Sequence, residues 1–333
     1  MAPLAPLAVV GGRLATGLVE LSHDLAVLET SGFWAVVISF DGRATCARFG
    51  TVRPARPWPG PPWRGPPSDA WRTSLDGPAF RSAVTTIRAA IAAGDVYQVN
   101  LTRRLSAPAP PVADMAALGA VLATGNPAPY SAVVRIPEVA IHVASASPEC
   151  FLARRGRRVR SAPIKGTASA ADGFLAKDRA ENVMIVDLVR NDFGRVCRFG
   201  TITVPALCRV EAHPGLFHLV SVVEGELAAG NGWPELIAAT FPPGSVTGAP
   251  KLAALASIAK LEPVGRGPYC GAVGWVDADT GEGELNVAIR TFWLEAGELH
   301  LGTGGAVTWD STAEGEWAET ELKTRRLLSV VSA

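Results

Sequence analysis

Strand-like and helix-like segments arrive in blocks along this chain instead of in strict alternation. Apolar runs with strand character fall at Phe33-Trp34-Ala35-Val36-Val37-Ile38-Ser39-Phe40, at 131–136 and 139–145, at 201–210 and 216–227, and at 270–276, 285–294 and 298–308. A helix is predicted to open near Pro78, with Phe80, Val84, Ile87 and Ile91 on one face and Gly94 as its stop. Others are expected over Asp172–Asp192, near 233–241 and 249–261, and from about Ser311 onward. Parallel sheets need repeated strand–helix–strand units. The blocked order therefore predicts an α+β fold with largely antiparallel sheets. Residues 51–68 carry Pro54, Pro57, Pro59, Pro61, Pro62, Pro66 and Pro67 and read as a loop. The expected organisation is a short strand region and Pro-rich loop over 1–70, then a catalytic domain over 71–333.

Charge narrows the partners. Thirty-one acids balance 31 bases, so no global field draws the 333-residue chain to nucleic acid or to an anionic membrane. The Arg-dense stretch Arg154–Arg160 lies between two short apolar runs and reads as a solvated hairpin turn. Cys46, Cys150, Cys197, Cys208 and Cys270 are scattered, odd in number and without a CxxC pair. That pattern fits free thiols in a reducing cytoplasm. Met1-Ala2-Pro3-Leu4-Ala5-Pro6 lacks a basic region followed by an apolar stretch, and no run approaches the roughly 18 apolar residues of a membrane span. The expectation is a cytoplasmic protein.

Lys165, in Pro163-Ile164-Lys165-Gly166-Thr167, is one of five lysines among the 31 basic residues. An amine can lose its proton and attack carbon, which a guanidinium cannot do. The residue reads either as a nucleophile or as an anion-binding loop charge. Asp178 and Glu181 stand three apart on a predicted helix, and Glu316 and Glu319 repeat the spacing. Two such pairs make an all-oxygen magnesium site if the fold brings them together, and solvated helix faces if it does not. Phe241–Lys251 and Gly302-Thr303-Gly304-Gly305-Ala306 are glycine-rich turns. They can offer backbone N–H groups to an anion or let backbone approach closely.

Taken in order, these segments resemble the chorismate-utilising enzymes. The blocks that carry the likeness are Asp95–Thr102, Ser147-Pro148-Glu149, Pro163–Thr167, Glu181–Asp192, His218-Leu219-Val220-Ser221, Gly244–Lys251, Arg266–Gly271, Ala288-Ile289-Arg290-Thr291 and Glu316–Lys323. Pro-Ile-Lys-Gly-Thr looks like the aminodeoxychorismate synthase component I form; anthranilate synthases carry Ala in place of Lys165. The chain departs from the family pattern at Ala180, Ala168-Ser169-Ala170 and Ala306. Its N-terminal part is short beside relatives that hold a tryptophan pocket there.

The resemblance implies two large antiparallel sheets packed together and flanked by helices, as in anthranilate synthase component I. It implies magnesium held by Glu181 and Glu319 with Asp178 and Glu316 behind. Lys165 would be the nucleophile and Glu149 the acid. Gly166, Thr167, His218, Thr247, Tyr269, Arg290 and Gly304 would contact chorismate. No glutamine-amidotransferase set of Cys, His and Glu is visible, so ammonia is expected from a partner subunit or from solution, and the resemblance implies a glutamine amidotransferase partner. The remaining alternatives are anthranilate synthase component I and a non-catalytic chorismate-binding subunit.

Overall fold

The computed structural model describes residues 4–168, 170–213 and 216–332; the side chains of Thr167, His213 and Leu216 also lie outside the described residues. Six α-helices occur among them: α1 (Gly77–Ala93), α2 (Met115–Gly125), α3 (Ala176–Gly194), α4 (Trp233–Thr240), α5 (Lys251–Leu261) and α6 (Ala313–Val331). Helix α1 shows why such segments form. Asp76 Oδ1 accepts from the Ala79 N–H at 2.9 Å, Pro78 sits in the first turn, and Gly94 ends the helix at φ 82°. Phe80, Val84 and Ile87 are buried on one face. Each contributes about 1.5–3 kcal/mol relative to exposure.

The strand pairings are antiparallel, and they form one continuous ladder. It starts at Arg72–Thr73 and passes through Gln98–Pro108, Glu298–Val307, Thr291–Glu295, Ile141–Ser147 and Tyr130–Ile136 to Leu7–Val10. Arg13–Ser22, Ala44–Pro54 and Phe33–Ile38 then carry it to Ala272–Asp277, Glu282–Val287, Cys150–Arg155, Arg158–Ala162 and Leu216–Glu226, with Thr203–His213 beyond. Ile164–Ala168 continues beside Leu216–Glu226.

The two sheets implied by the resemblance are the two halves of this ladder, folded onto each other. Side-chain alternation on Tyr130–Ile136 makes the layering visible. Ala132, Val134 and Ile136 share a core with Val36, Val273 and Leu285 of the other half. Val133 points the opposite way, into a cluster with Leu118 of α2 and Leu327 of α6. The Pro-rich loop does more than connect: Trp63 Nε1 donates to the Val331 carbonyl at 2.8 Å and Trp71 Nε1 to Ser332 Oγ at 2.9 Å. Among the described residues no helix is long and apolar enough to cross a membrane.

Two readings of the sequence need correction. The run 285–294 is two strands, broken at Ala288–Arg290, where Arg290 takes φ 50°. Helix α2 was not foreseen. Its sequence, Met-Ala-Ala-Leu-Gly-Ala-Val-Leu-Ala-Thr-Gly, is apolar almost all round and carries no amphipathic period. The Arg-rich hairpin is as expected, with a two-residue turn at Gly156-Arg157.

Candidate active site

Lys165 lies on the short strand Ile164–Ala168, opposite Leu219. The register slips between Lys165 and Thr167, and Gly166 absorbs the slip at φ 83°. A Cβ at Gly166 would stand 3.0 Å from Asp178 Cβ and 3.2 Å from Phe174 Cδ1. The glycine thus lets α3 seat directly on the nucleophile strand. Asn182 fastens that seat: its Nδ2 donates to the Leu219 carbonyl at 3.0 Å, and its Oδ1 accepts from Ser221 Oγ. Gly166→Ala is expected to cost about 1–2 kcal/mol, the usual burden of a left-handed conformation on an L-residue. The check is a thermal melt, with Gly265→Ala as control, at a glycine outside the left-handed region whose Cβ would meet nothing within 4 Å.

Lys165 is buried, and burial is the main cause that lowers its pKa. Glu181, Glu149 and Glu319 oppose the shift, and Lys323 reinforces it. Glu149 faces it from the end of Ile141–Ser147. Its backbone is pinned, because the Glu149 N–H donates to Ser147 Oγ at 3.2 Å and Val287 N–H donates to the Glu149 carbonyl at 3.0 Å. Ser147 Oγ in turn donates to the Val287 carbonyl at 2.6 Å. Burial pushes the Glu149 carboxyl up to about 7, against the Ser245 hydroxyl, Lys165, the Ile164 N–H and Lys323. A proton donor and a deprotonatable amine therefore share one dry site.

The fold brings the two acidic pairs within electrostatic reach. Glu181 on α3 senses Glu319, and Glu316 senses both. Glu316 is buried; its Oε1 accepts from Ser311 Oγ at 2.6 Å, and its Oε2 has no hydrogen-bond partner among the described residues. Burial raises this carboxyl to about 7. A Cβ at Gly305 would stand 2.8 Å from Glu316 Oε2 and 3.6 Å from Glu319 Oε1, so the glycine leaves a cradle beneath the acids. Lys323 Nζ lies 2.6 Å from Glu319 Oε1, holds that carboxyl below its usual range, and donates to the Gly304 carbonyl at 2.9 Å. Asp178 is partly engaged elsewhere, accepting the Leu175 N–H at 2.7 Å as a helix cap. Among the described residues no three His, Cys, Asp or Glu side chains gather tightly enough to hold a metal alone.

The expected substrate contacts are distributed unevenly. Arg290, expected to hold a substrate carboxylate, is half-buried, meets no carboxylate among the described residues, and is lowered in pKa by its partial burial. Tyr269 packs its ring over Gly302, where a Cβ would stand 2.1 Å from the ring, and it has Arg266, Glu262 and Cys270 as neighbours. No hydrogen bond joins it to Arg290 among the described residues. Thr247 is buried and donates to the Pro243 carbonyl at 3.0 Å. His218 is buried opposite Thr167, whose own side chain lies outside the described residues. Gly304 abuts the Leu101 carbonyl and offers its own to Lys323. Lys251 proves to be a clasp, bonded to Asp192 Oδ2 at 2.9 Å and to the Thr240 carbonyl at 3.0 Å. Ser245, Asn182 and Ser311 were missed in the sequence. Only Ser245 left a signal, as a hydroxyl in a glycine-rich turn.

The model of the chorismate binding enzyme family matches residues 59–329. Anthranilate synthase component 1 1 of Haloarcula marismortui is 42% identical over 265 residues, which cover 76% of this chain and 53% of that protein. Aminodeoxychorismate synthase component 1 of Klebsiella aerogenes is 38% identical over 273 residues, covering 78% and 59%. The chain thus spans little more than half the length of these relatives. The crystal structure of anthranilate synthase component I from Streptococcus pneumoniae superposes with a TM-score of 0.79 at 23% identity, covering 98% of this chain and 91% of that one, and so shares the fold. With a family match over residues 59–329 and relatives 42% and 38% identical over more than three quarters of its length, the chain belongs to the chorismate binding enzymes.

Proposed function

We propose that the protein is an aminodeoxychorismate synthase component I, which replaces the 4-hydroxyl of chorismate by an amino group. The observation that carries the reading is Lys165: a buried amine, inclined to lose its proton, facing a carboxyl held near pH 7. Lys165 Nζ attacks C2 while both ring double bonds shift by one position and the C4–O bond breaks. Glu149 gives its proton to the departing oxygen, which leaves as water, and the proton shed by the Lys165 ammonium restores Glu149. Ammonia then adds at C4, the ring double bonds shift back and the C2–Nζ bond breaks; Glu149 protonates the departing nitrogen and takes back the proton shed by the new C4 ammonium, so Lys165 is free again. Arg290 holds a substrate carboxylate through a two-pronged fork. A glutamine amidotransferase partner supplies the ammonia.

The partnerless Glu316 Oε2 and the Gly305 cradle fit a cation. Glu181 and Glu319 would hold magnesium, with Asp178 and Glu316 behind; an ion that keeps several waters needs no closed cage. When bound, magnesium supplies positive charge to the ring carboxylate.

The test is to incubate the protein with chorismate, ammonium salt and Mg²⁺ and to read products by mass spectrometry and fluorescence. Aminodeoxychorismate is expected, lost in excess chelator, and Glu319→Gln should raise the magnesium needed. Fluorescent anthranilate as the main product overturns the reading; full activity in excess chelator overturns the metal.

A further inference from the structure

One buried charge in this molecule spends its side-chain hydrogen bonds on none of the expected substrate contacts, yet it holds the turn from which Glu149 is contacted. The side chains of Arg266 and Glu262 are 2% and 6% exposed and form an ion pair at 2.6 Å. All of the guanidinium is committed. Nε donates to Glu262 Oε2 at 2.8 Å, Nη1 to the Val246 carbonyl at 2.7 Å, and Nη2 to the Asn100 carbonyl at 2.7 Å. Its plane lies over the Phe40 ring, 4.3 Å from the centroid. Glu262 Oε1 also accepts the Thr102 N–H at 2.8 Å, and the Asn100 N–H donates to the Thr247 carbonyl at 2.7 Å.

These bonds converge on one short turn, Gly244–Val246, and on the strand Gln98–Pro108 beside it. Ser245, between Gly244 and the clamped Val246, stands beside Glu149, and its hydroxyl favours the ionised form of that carboxyl. Ser245 and Glu149 also line one cavity, with Ser161, Thr240 and Val287. A turn of this kind has little regular backbone bonding of its own, so its place is set by what grips its carbonyls.

We propose that Arg266 is a positioning residue for the acid at Glu149: by fixing the Val246 and Asn100 carbonyls it holds Ser245 where its hydroxyl meets the Glu149 carboxyl. Lysine cannot replace it, because a point charge cannot serve Glu262 and two carbonyls with a planar fork. The inference rests on the reading of Glu149 as proton donor.

The charges that face Glu149 are Lys165 from its strand and Lys323 from α6, and neither is touched by the variants below. The Ser245 hydrogen bond favours the carboxylate, so losing it keeps Glu149 protonated to higher pH. The experiment follows chorismate loss against pH, whichever product forms. Ser245→Ala, which leaves Arg266 intact, is expected to move the basic limb of kcat to higher pH. Arg266→Lys is expected to move it the same way and to lower kcat by up to about 10²-fold, the scale of a misplaced catalytic group, with KM within about twofold. The double variant should shift the limb no further than Ser245→Ala alone. A basic limb that stays in place in both single variants, or an Arg266→Lys loss that merely tracks the folded fraction, overturns the inference. Glu149→Gln separates the two levels. If it leaves the basic limb untouched, the acid assignment fails. If it removes the limb while Ser245→Ala and Arg266→Lys do not move it, only the role of Arg266 fails.

Discussion

Lys165→Ala is expected to lower aminodeoxychorismate formation by about 10⁴-fold or more, the range seen when a covalent nucleophile is removed from an enzyme that keeps its other binding groups. The fold should survive, because the variant removes a buried amine whose charged form burial already disfavours. Lys165→Arg should be equally inactive, since a guanidinium keeps its proton and cannot add to carbon. Chorismate should still bind to Lys165→Ala when Mg²⁺ is present, because Arg290 and the α3 and α6 carboxylates proposed to hold the ion remain. Intact-protein mass spectrometry of the wild type incubated with chorismate but no ammonia should reveal an adduct on Lys165. Wild-type turnover in Lys165→Ala would falsify the covalent route.

Glu149→Gln should come next in size, with kcat down roughly 10²–10⁴-fold, the usual worth of a positioned general acid. Glutamine keeps the shape and the hydrogen bonds but has no proton to give. Glu149→Asp should recover part of the rate, limited by its shorter reach. A Gln variant with unchanged kcat and altered KM means that Glu149 only binds. The same residue also marks the stability curve. Its pKa is about 7 in the fold against an ordinary 4.5, so the native state holds the extra proton between those values. Stability from this group is fully present below pH 4.5 and is lost as pH rises toward 7; Glu149→Gln should flatten that slope in denaturant titrations.

How much of this was legible in the sequence follows from what kind of signal each feature leaves. Periodicity marked α1, because Phe80, Val84 and Ile87 all face the core. It failed for α2, which is buried on several sides and so shows no stripe. The break at Ala288–Arg290 was hidden because both flanking strands are apolar, and only a backbone angle at Arg290 separates them. In the site, the i, i+3 carboxylates and the lone Lys165 stood out by spacing and residue type. Ser245 and Arg266 could not be assigned that way. Their partners, Glu149 for one and Val246, Asn100 and Glu262 for the other, are set by tertiary approach.

The unbroken strand ladder has a consequence for how this protein could be cut, tagged or recombined. Leu7–Val10 is bonded on one side to Tyr130–Ile136 and on the other to Arg13–Ser22. Phe33–Ile38 is bonded likewise to Ala272–Asp277. The residues before 59 lie outside the family match, yet they close the seam between the two halves that carry the site. Deleting them would leave two long rows of open backbone donors and acceptors, an invitation to pair with a neighbouring chain. The family-matched stretch therefore omits strands that complete its own sheet, and grafting it alone onto another scaffold would transplant an incomplete sheet.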